Sequence, residues 1–283
     1  AGTPAKAIVT VESRRDGQTP PTLNQQDILA YSGKARVPVT GFLPLQGEHA
    51  GLQLMILLDD GSGSDVSTQL NELRDFINSQ PATTAIAVGY MRNGTVQFTS
   101  QFTKDHGQAA KSLRIPLGQA GINGSPYFSL SDAVKHWENG PERHEVLMIT
   151  DGIDRYGIGT GLDDPYVNAA IRDAQRKGIV VFSIYSRTIG HMGHSFWRNS
   201  WGQNFLSQLS DETGGESYYI GFGSPVSFKP YLDDLSARLT RQYLLTITMK
   251  SPKKADLQPI KLHTEVPNAD LAYPDRAWVR AGT

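Results

Sequence analysis

Residues 52–58, LQLMILL, form a nearly unbroken apolar run with no wet face. Such a run suits a β-strand covered on both sides, as in a parallel sheet flanked by helices. The pattern recurs in TAIAVGYM (84–91), HEVLMIT (144–150) and IVVFSIYS (179–186). Helical segments separate these strands. In VSTQLNELRDFINSQ (66–80), Val66, Leu70, Leu73, Phe76 and Ile77 share one face, and Pro81 follows. DHGQAAKSLRI (105–115), FSLSDAVKHWEN (128–139) and FLSQLSDETGG (205–215) read as helices too, as does SFKPYLDDLSARLTRQY (227–243). PYVNAAIRDAQRKG (165–178) opens on proline and closes on glycine, the usual asymmetry of helix ends. RNG (92–94) is a turn signal, so TVQFTSQF (95–102) is expected as an antiparallel edge strand, and ESYYIG (216–221) as a short strand. Strands alternating with helices predict an α/β fold, a doubly wound and mostly parallel sheet, over residues 50–243.

The two ends read differently. AKAIVTVES and ARVPVTGFL near the start, and YLLTITMK, PIKLHTEV and AWVR near the finish, are strand-like with turns between them. Neither end has enough strands for a core, so residues 1–49 and 244–283 are expected to combine into a small β-sandwich with the α/β unit inserted. The alternative is that each end adds edge strands to that unit.

Composition narrows the function. Charges nearly cancel, with 27 basic and 28 acidic residues, and no basic stripe marks a nucleic-acid surface. With no cysteine there is no thiolate metal site and no cysteine nucleophile. No apolar run approaches the roughly 18 residues of a membrane span. The first residues lack the charged and apolar regions of an intact signal peptide, so a processed N-terminus of an exported protein is one expectation.

The first buried strand ends in LDDGSGSD (58–65). Turn chemistry accounts for these letters, since turns use Asp, Gly and Ser. They are also a set of small oxygen donors, at the sheet edge where such folds bind ligands. Asp151, in LMITDG, ends a central strand, and INGSPYFSLSDAV (122–134) brings Gly-Ser just before a helix. All-oxygen donors select a hard cation, Mg²⁺, Ca²⁺ or Mn²⁺. Two carboxylates, Asp60 and Asp151, with hydroxyls from Ser62 and Ser64 would leave such an ion electrophilic and open to an acidic group.

This pattern resembles the von Willebrand factor A (VWA) domain. That family's metal-ion-dependent adhesion site (MIDAS) uses Asp-x-Ser-x-Ser, a later Thr, and the Asp of Thr-Asp-Gly. The matching residues are Asp60, Ser62 and Ser64, then Ser125 in place of Thr, then Asp151 after Thr150. With its β-rich flanks and the QYLLTITM strand, the chain is similar to the acidobacterial-type proteins related to von Willebrand factor A. The resemblance implies a bacterial, secreted or extracytoplasmic protein, with a divalent cation at the sheet's carboxyl edge bridging to an acidic side chain of a partner protein. Two departures stand out. Ser125 lacks the methyl that restricts a threonine rotamer. The doubled Asp59-Asp60 leaves Asp59 directed to the other side of the strand.

Partner contacts are expected from Tyr127, Arg155, Tyr156, Phe196, Trp197 and Trp201, which lie in loops around this edge and include residue types common in binding hot spots. The aromatics of the 187–204 segment have a competing role as local packing, Tyr127 and Phe128 one as helix-start packing, and Arg155 and Tyr156 one as ordinary polar loop residues. His191 and His194 are a two-nitrogen metal pattern with no third ligand. No Ser–His–acid order suits a nucleophile. A metal-assisted hydrolase would need a base that no His or Glu beside Asp60 or Asp151 supplies. The expectation is therefore a non-enzymatic binding module, with an ion-free structural or assembly scaffold as the alternative.

Overall fold

The computed structural model describes residues 2–15, 17–62, 64–119, 121, 124–156, 163–187, 196–219, 221 and 223–282. The chain opens with β1 (Gly2–Ser13), β2 (Leu29–Ser32), β3 (Ala35–Val37) and β4 (Val39–Pro44). The α/β part follows as β5 (Leu52–Asp59), α1 (Gln69–Ser79), β6 (Thr84–Arg92), β7 (Thr95–Thr103), α2 (His106–Lys111), α3 (Pro126–His136) and β8 (Arg143–Thr150). It continues through α4 (Pro165–Lys177), β9 (Val180–Tyr185), α5 (Phe196–Thr213), β10 (Ser217–Tyr218) and α6 (Lys229–Leu239). The chain closes with β11 (Gln242–Lys250), β12 (Asp256–Pro259), β13 (Lys261–His263), β14 (Ala269–Ala272) and β15 (Arg276–Val279).

The six-stranded sheet runs β10-β9-β8-β5-β6-β7, parallel except for the antiparallel edge strand β7. This is the doubly wound arrangement expected from the alternating strands and helices. Successive side chains on each strand face opposite helical layers. Leu54, Ile56 and Leu58 pack with Ile149 toward α1, α2 and α6, while Met55 and Leu57 pack with Met148 toward α3, α4 and α5. After β5 the chain moves to one side through β6, then returns to the other through β8. The carboxyl ends of β5 and β8 therefore meet at the topological switch point, where LDDGSGS and Thr-Asp-Gly emerge side by side.

Helix ends follow local chemistry. Asp164 caps α4 by accepting from Tyr166 N (2.8 Å), and Gly178 ends it in the left-handed region at φ 67°. Ser125 Oγ caps α3 by accepting from Phe128 N (3.2 Å), with Pro126 at the first helical position. Helix α5 departs from expectation. It starts at Phe196, not near 205, so Trp197 and Trp201 lie on a helix and not in a loop. Gly202 within the helix and aromatics off the helical period hid this extension.

The terminal segments build three sheets, β14-β1-β11-β4, β13-β2-β3 and β12-β15. Strands β2, β12 and β14 were not foreseen. Ala5, Ala7, Val9 and Val11 of β1 join Leu245, Ile247 and Met249 of β11 in a core shared with Ala30, Leu262, Ala277 and Val279. Ile8 and Leu244 point the other way, into the core of the six-stranded sheet.

Candidate functional site

The two aspartates that end β5 turn to opposite helical layers, as alternation dictates. Asp59 is buried, accepting hydrogen bonds from Thr150 Oγ1 (2.7 Å) and Gly61 N (2.8 Å). Burial, reinforced by the charge of Asp151, pushes its carboxyl up to about 6, against the opposing pull of Arg155 and the two hydrogen bonds. Asp60 is fully buried and held by Arg114 in a two-pronged fork, Nη1–Oδ1 at 2.7 Å and Nη2–Oδ2 at 3.0 Å. Leu117 N donates to the same carboxylate (3.0 Å), and Gln119 N to the Asp60 carbonyl (2.9 Å).

Arg114 is fixed in turn by Tyr90. Its guanidinium lies 3.8 Å from the ring centroid, the Tyr90 hydroxyl donates to Arg114 O (2.6 Å), and Arg114 N donates back (2.7 Å). Burial raises the Tyr90 phenol, so it stays protonated. Residues 114–119 are thereby wrapped over Asp60.

Asp151 is held in a similar way from a different loop. Arg155 forks onto it through both terminal nitrogens, and Ile153 N donates to Oδ1 (3.0 Å). The turn is shaped by glycine. Gly152 has φ +68°, and a Cβ on Gly202 would sit 2.1 Å from Asp151 O, so the α5 backbone rests directly on this turn. Tyr127 OH donates to Gly152 O (2.8 Å). Tyr185, raised to about 12 by burial and by Asp151, adds a buried hydroxyl nearby. Ser62 Oγ and Ser186 Oγ are buried without a hydrogen-bond partner among the described residues.

The five residues matched to a cation site are placed as follows. Asp60 and Asp151 lie one residue beyond the ends of the adjacent strands β5 and β8, Ser125 caps α3, and Ser62 is buried just beyond Asp59. Ser64 begins a 3₁₀ turn, and its side chain lies outside the described residues. In this arrangement the set does not fit a dication. Both oxygens of each carboxylate already accept from guanidinium and backbone N–H groups, and among the described side chains of the set Ser62 Oγ is without a hydrogen-bond partner. Each guanidinium would also repel an ion, since unit charges 4 Å apart interact by about 4 kcal/mol at an effective dielectric near 20, doubled for a double charge.

Of the residues matched to partner contact, Tyr127 is corrected. It is fully buried with its hydroxyl on Gly152 O, so it is core. Arg155 is mostly buried and committed to Asp151. Trp201 packs against the α3–α4–α5 core, whereas Trp197 is 68% exposed and Tyr156 50%. Tyr156 packs edge-on against Phe128 (4.9 Å) and Tyr166 (5.5 Å). The Phe196 side chain, His191 and His194 lie outside the described residues. Sequence reasoning missed Arg114. It lies 54 residues from its carboxylate, and nothing local distinguishes it from a solvated loop arginine.

No family model matches the chain, and no curated protein matches it. Solved structures give likenesses at low identity. The vWF domain of the type V pili tip protein Mfa5 from Porphyromonas gingivalis is 10% identical, covering 66% of this chain and 94% of that one, with a TM-score of 0.46. An aerotolerance-related membrane protein from Bacteroides fragilis is 15% identical, covering 67% and 98%, with a TM-score of 0.45. The SpRpn10 VWA domain is 14% identical, covering 65% and 92%, with a TM-score of 0.42. Likenesses of this size assign no activity, and the argument for function rests on this chain's own residues.

Proposed function

We propose that this chain is a non-enzymatic protein-interaction module that receives its partner on the carboxyl edge of the six-stranded sheet. One observation carries the reading. Among the described residues, the large apolar side chains left exposed are Leu43, Ile115, Leu117, Tyr156, Trp197, Tyr219 and Val226, and all but Leu43 belong to segments at that edge. Apolar side chains gathered at one end of a soluble fold favour a contact surface over solvent. An acidic side chain of the partner would meet Arg114, whose side chain is 33% exposed beside Ile115 and Leu117. No helix among the described residues is long and apolar enough to cross a membrane. On the resemblance, the reading belongs to an exported bacterial protein.

A second, ion-dependent form has Mg²⁺, Ca²⁺ or Mn²⁺ held by Asp60, Ser62, Ser64, Ser125 and Asp151 and bridging to the partner's acid. The uncommitted, buried Ser62 hydroxyl favours it. It requires Asp60 and Asp151 to leave their arginines. The test is capture of a partner from extracts of the source organism by the immobilised chain, with and without EDTA. The combined Leu117→Ser, Tyr156→Ala, Trp197→Ala variant serves as control. A protein held by wild type, lost with the variant and indifferent to EDTA supports the reading. Equal capture by the variant overturns it, and loss with EDTA selects the ion-dependent form.

A further inference from the structure

We infer that Arg114 and Arg155 together supply the double positive charge that a dication would bring to Asp60 and Asp151, so that these two carboxylates are paired from within and independent of metal. The argument stands on the corner's own side chains and not on the partner reading. Each of the two carboxylates has its own arginine. Asp60 receives Arg114 from the segment after α2, and Asp151 receives Arg155 from the loop after β8. Both forks use two nitrogens, and a backbone N–H completes each carboxylate: Leu117 N on Asp60, Ile153 N on Asp151.

The arginines are positioned, not incidental. Arg114 lies over the Tyr90 ring and is tied to the Tyr90 hydroxyl through its own backbone N–H and carbonyl. Its Nη1 also donates to Ile115 O (3.1 Å). Arg155 Nη1 donates to Ile153 O (3.2 Å), so the loop folds back on the carboxylate it serves. A corner shaped for an ion would carry two uncompensated acids until the ion arrived. Here the charge count already closes for Asp60 and Asp151. Guanidinium suits the task because it stays charged when buried and its planar donors match a carboxylate.

The experiment uses the whole chain. Melting curves and calorimetry are run with Mg²⁺, Ca²⁺ and Mn²⁺ up to 10 mM at constant ionic strength, and with EDTA. The expected result is no saturable heat and a melting temperature that moves by less than about 1 °C. A hundredfold excess over Kd would raise it by about 5 °C or more. Saturable binding reversed by EDTA overturns the inference. The variants Arg114→Gln and Asp60→Asn/Arg114→Gln test the charge pairing separately. Arg114→Gln is expected to melt lower than wild type, and the double variant higher than Arg114→Gln, because the unpaired charge is gone. An Arg114→Gln protein as stable as wild type, or no recovery in the double variant, overturns it. The metal titration on wild type decides even where a variant fails to fold.

Discussion

Replacing Arg143 by methionine tests the energetic logic of the junction between the sheets. Arg143 opens β8 and is 6% exposed, facing Glu145, which is fully buried. Its Nε donates to Glu145 Oε1 at 3.1 Å, its Nη1 to Ala50 O at 3.2 Å and its Nη2 to Leu239 O at 3.0 Å. One side chain thus ties the start of β5 and the end of α6 to the amino edge of the sheet. Burial pushes the Glu145 carboxyl up, and Arg143 is the largest influence pulling it back down. Removing one partner of a buried pair costs about 3–5 kcal/mol, because the other charge is stranded. The two carbonyls add about 0.5–1 kcal/mol each. Arg143, Ala50 and Leu239 line a cavity of about 450 Å³, through which water can reach those carbonyls. The total is about 4–7 kcal/mol. With a urea slope near 3 kcal/mol/M, the unfolding midpoint falls by about 1.3–2.3 M. Urea titration followed by tryptophan fluorescence and circular dichroism measures this. Glu145→Gln in the same background removes the stranded charge and is expected to recover about 2–3 kcal/mol. A loss below about 1 kcal/mol for Arg143→Met, or no recovery in the double variant, refutes the reasoning.

Asp59 makes stability depend on pH. Its carboxyl is raised from 3.8 to about 6, so the native state holds the proton more tightly than the unfolded chain. That contribution is fully present below about pH 4 and lost as pH rises through about 6, a change of about 3 kcal/mol. Melting curves from pH 4 to 8 should show this slope in wild type and its absence in Asp59→Asn, which should be the more stable protein at pH 7.5. Gly202→Ala drives a methyl to 2.1 Å from Asp151 O. It is expected to cost more than about 2 kcal/mol, seen as a lowered melting temperature. Glu72 of α1 accepts from Ser227 Oγ (2.8 Å), Phe228 N (2.6 Å) and Lys229 N (3.1 Å) at the start of α6. Glu72→Ala should cost about 1–2 kcal/mol in chemical denaturation, with Glu72→Gln between it and wild type.

The sheet was legible because its strands are covered on both faces and leave apolar runs that no other structure suits. The alternating faces of β5 also placed Asp59 correctly, opposite Asp60. The start of α5 was not legible, because Gly202 is chosen for contact with the Asp151 turn and not for helix formation. For Tyr127 the sequence left helix-start packing and partner contact both open, and a carbonyl 25 residues away, that of Gly152, decides for burial. Arg114 illustrates the same limit for the site. Oxygen donors can be counted in a sequence, but whether an arginine from a distant turn has already taken them is settled by tertiary geometry.

The pairing of β1 with β11 joins residues about 240 positions apart, Gly2 opposite Lys250 and Thr10 opposite Gln242. During synthesis β1 must wait for β11 to emerge. Until then its apolar face and open backbone edge are available to any other nascent chain, a hazard of unpaired strands. The inserted α/β unit is what brings those two ends within reach, since loop closure grows costlier with length unless the loop is already folded. The pairing of β1 with β11 therefore closes a loop that holds the whole six-stranded sheet.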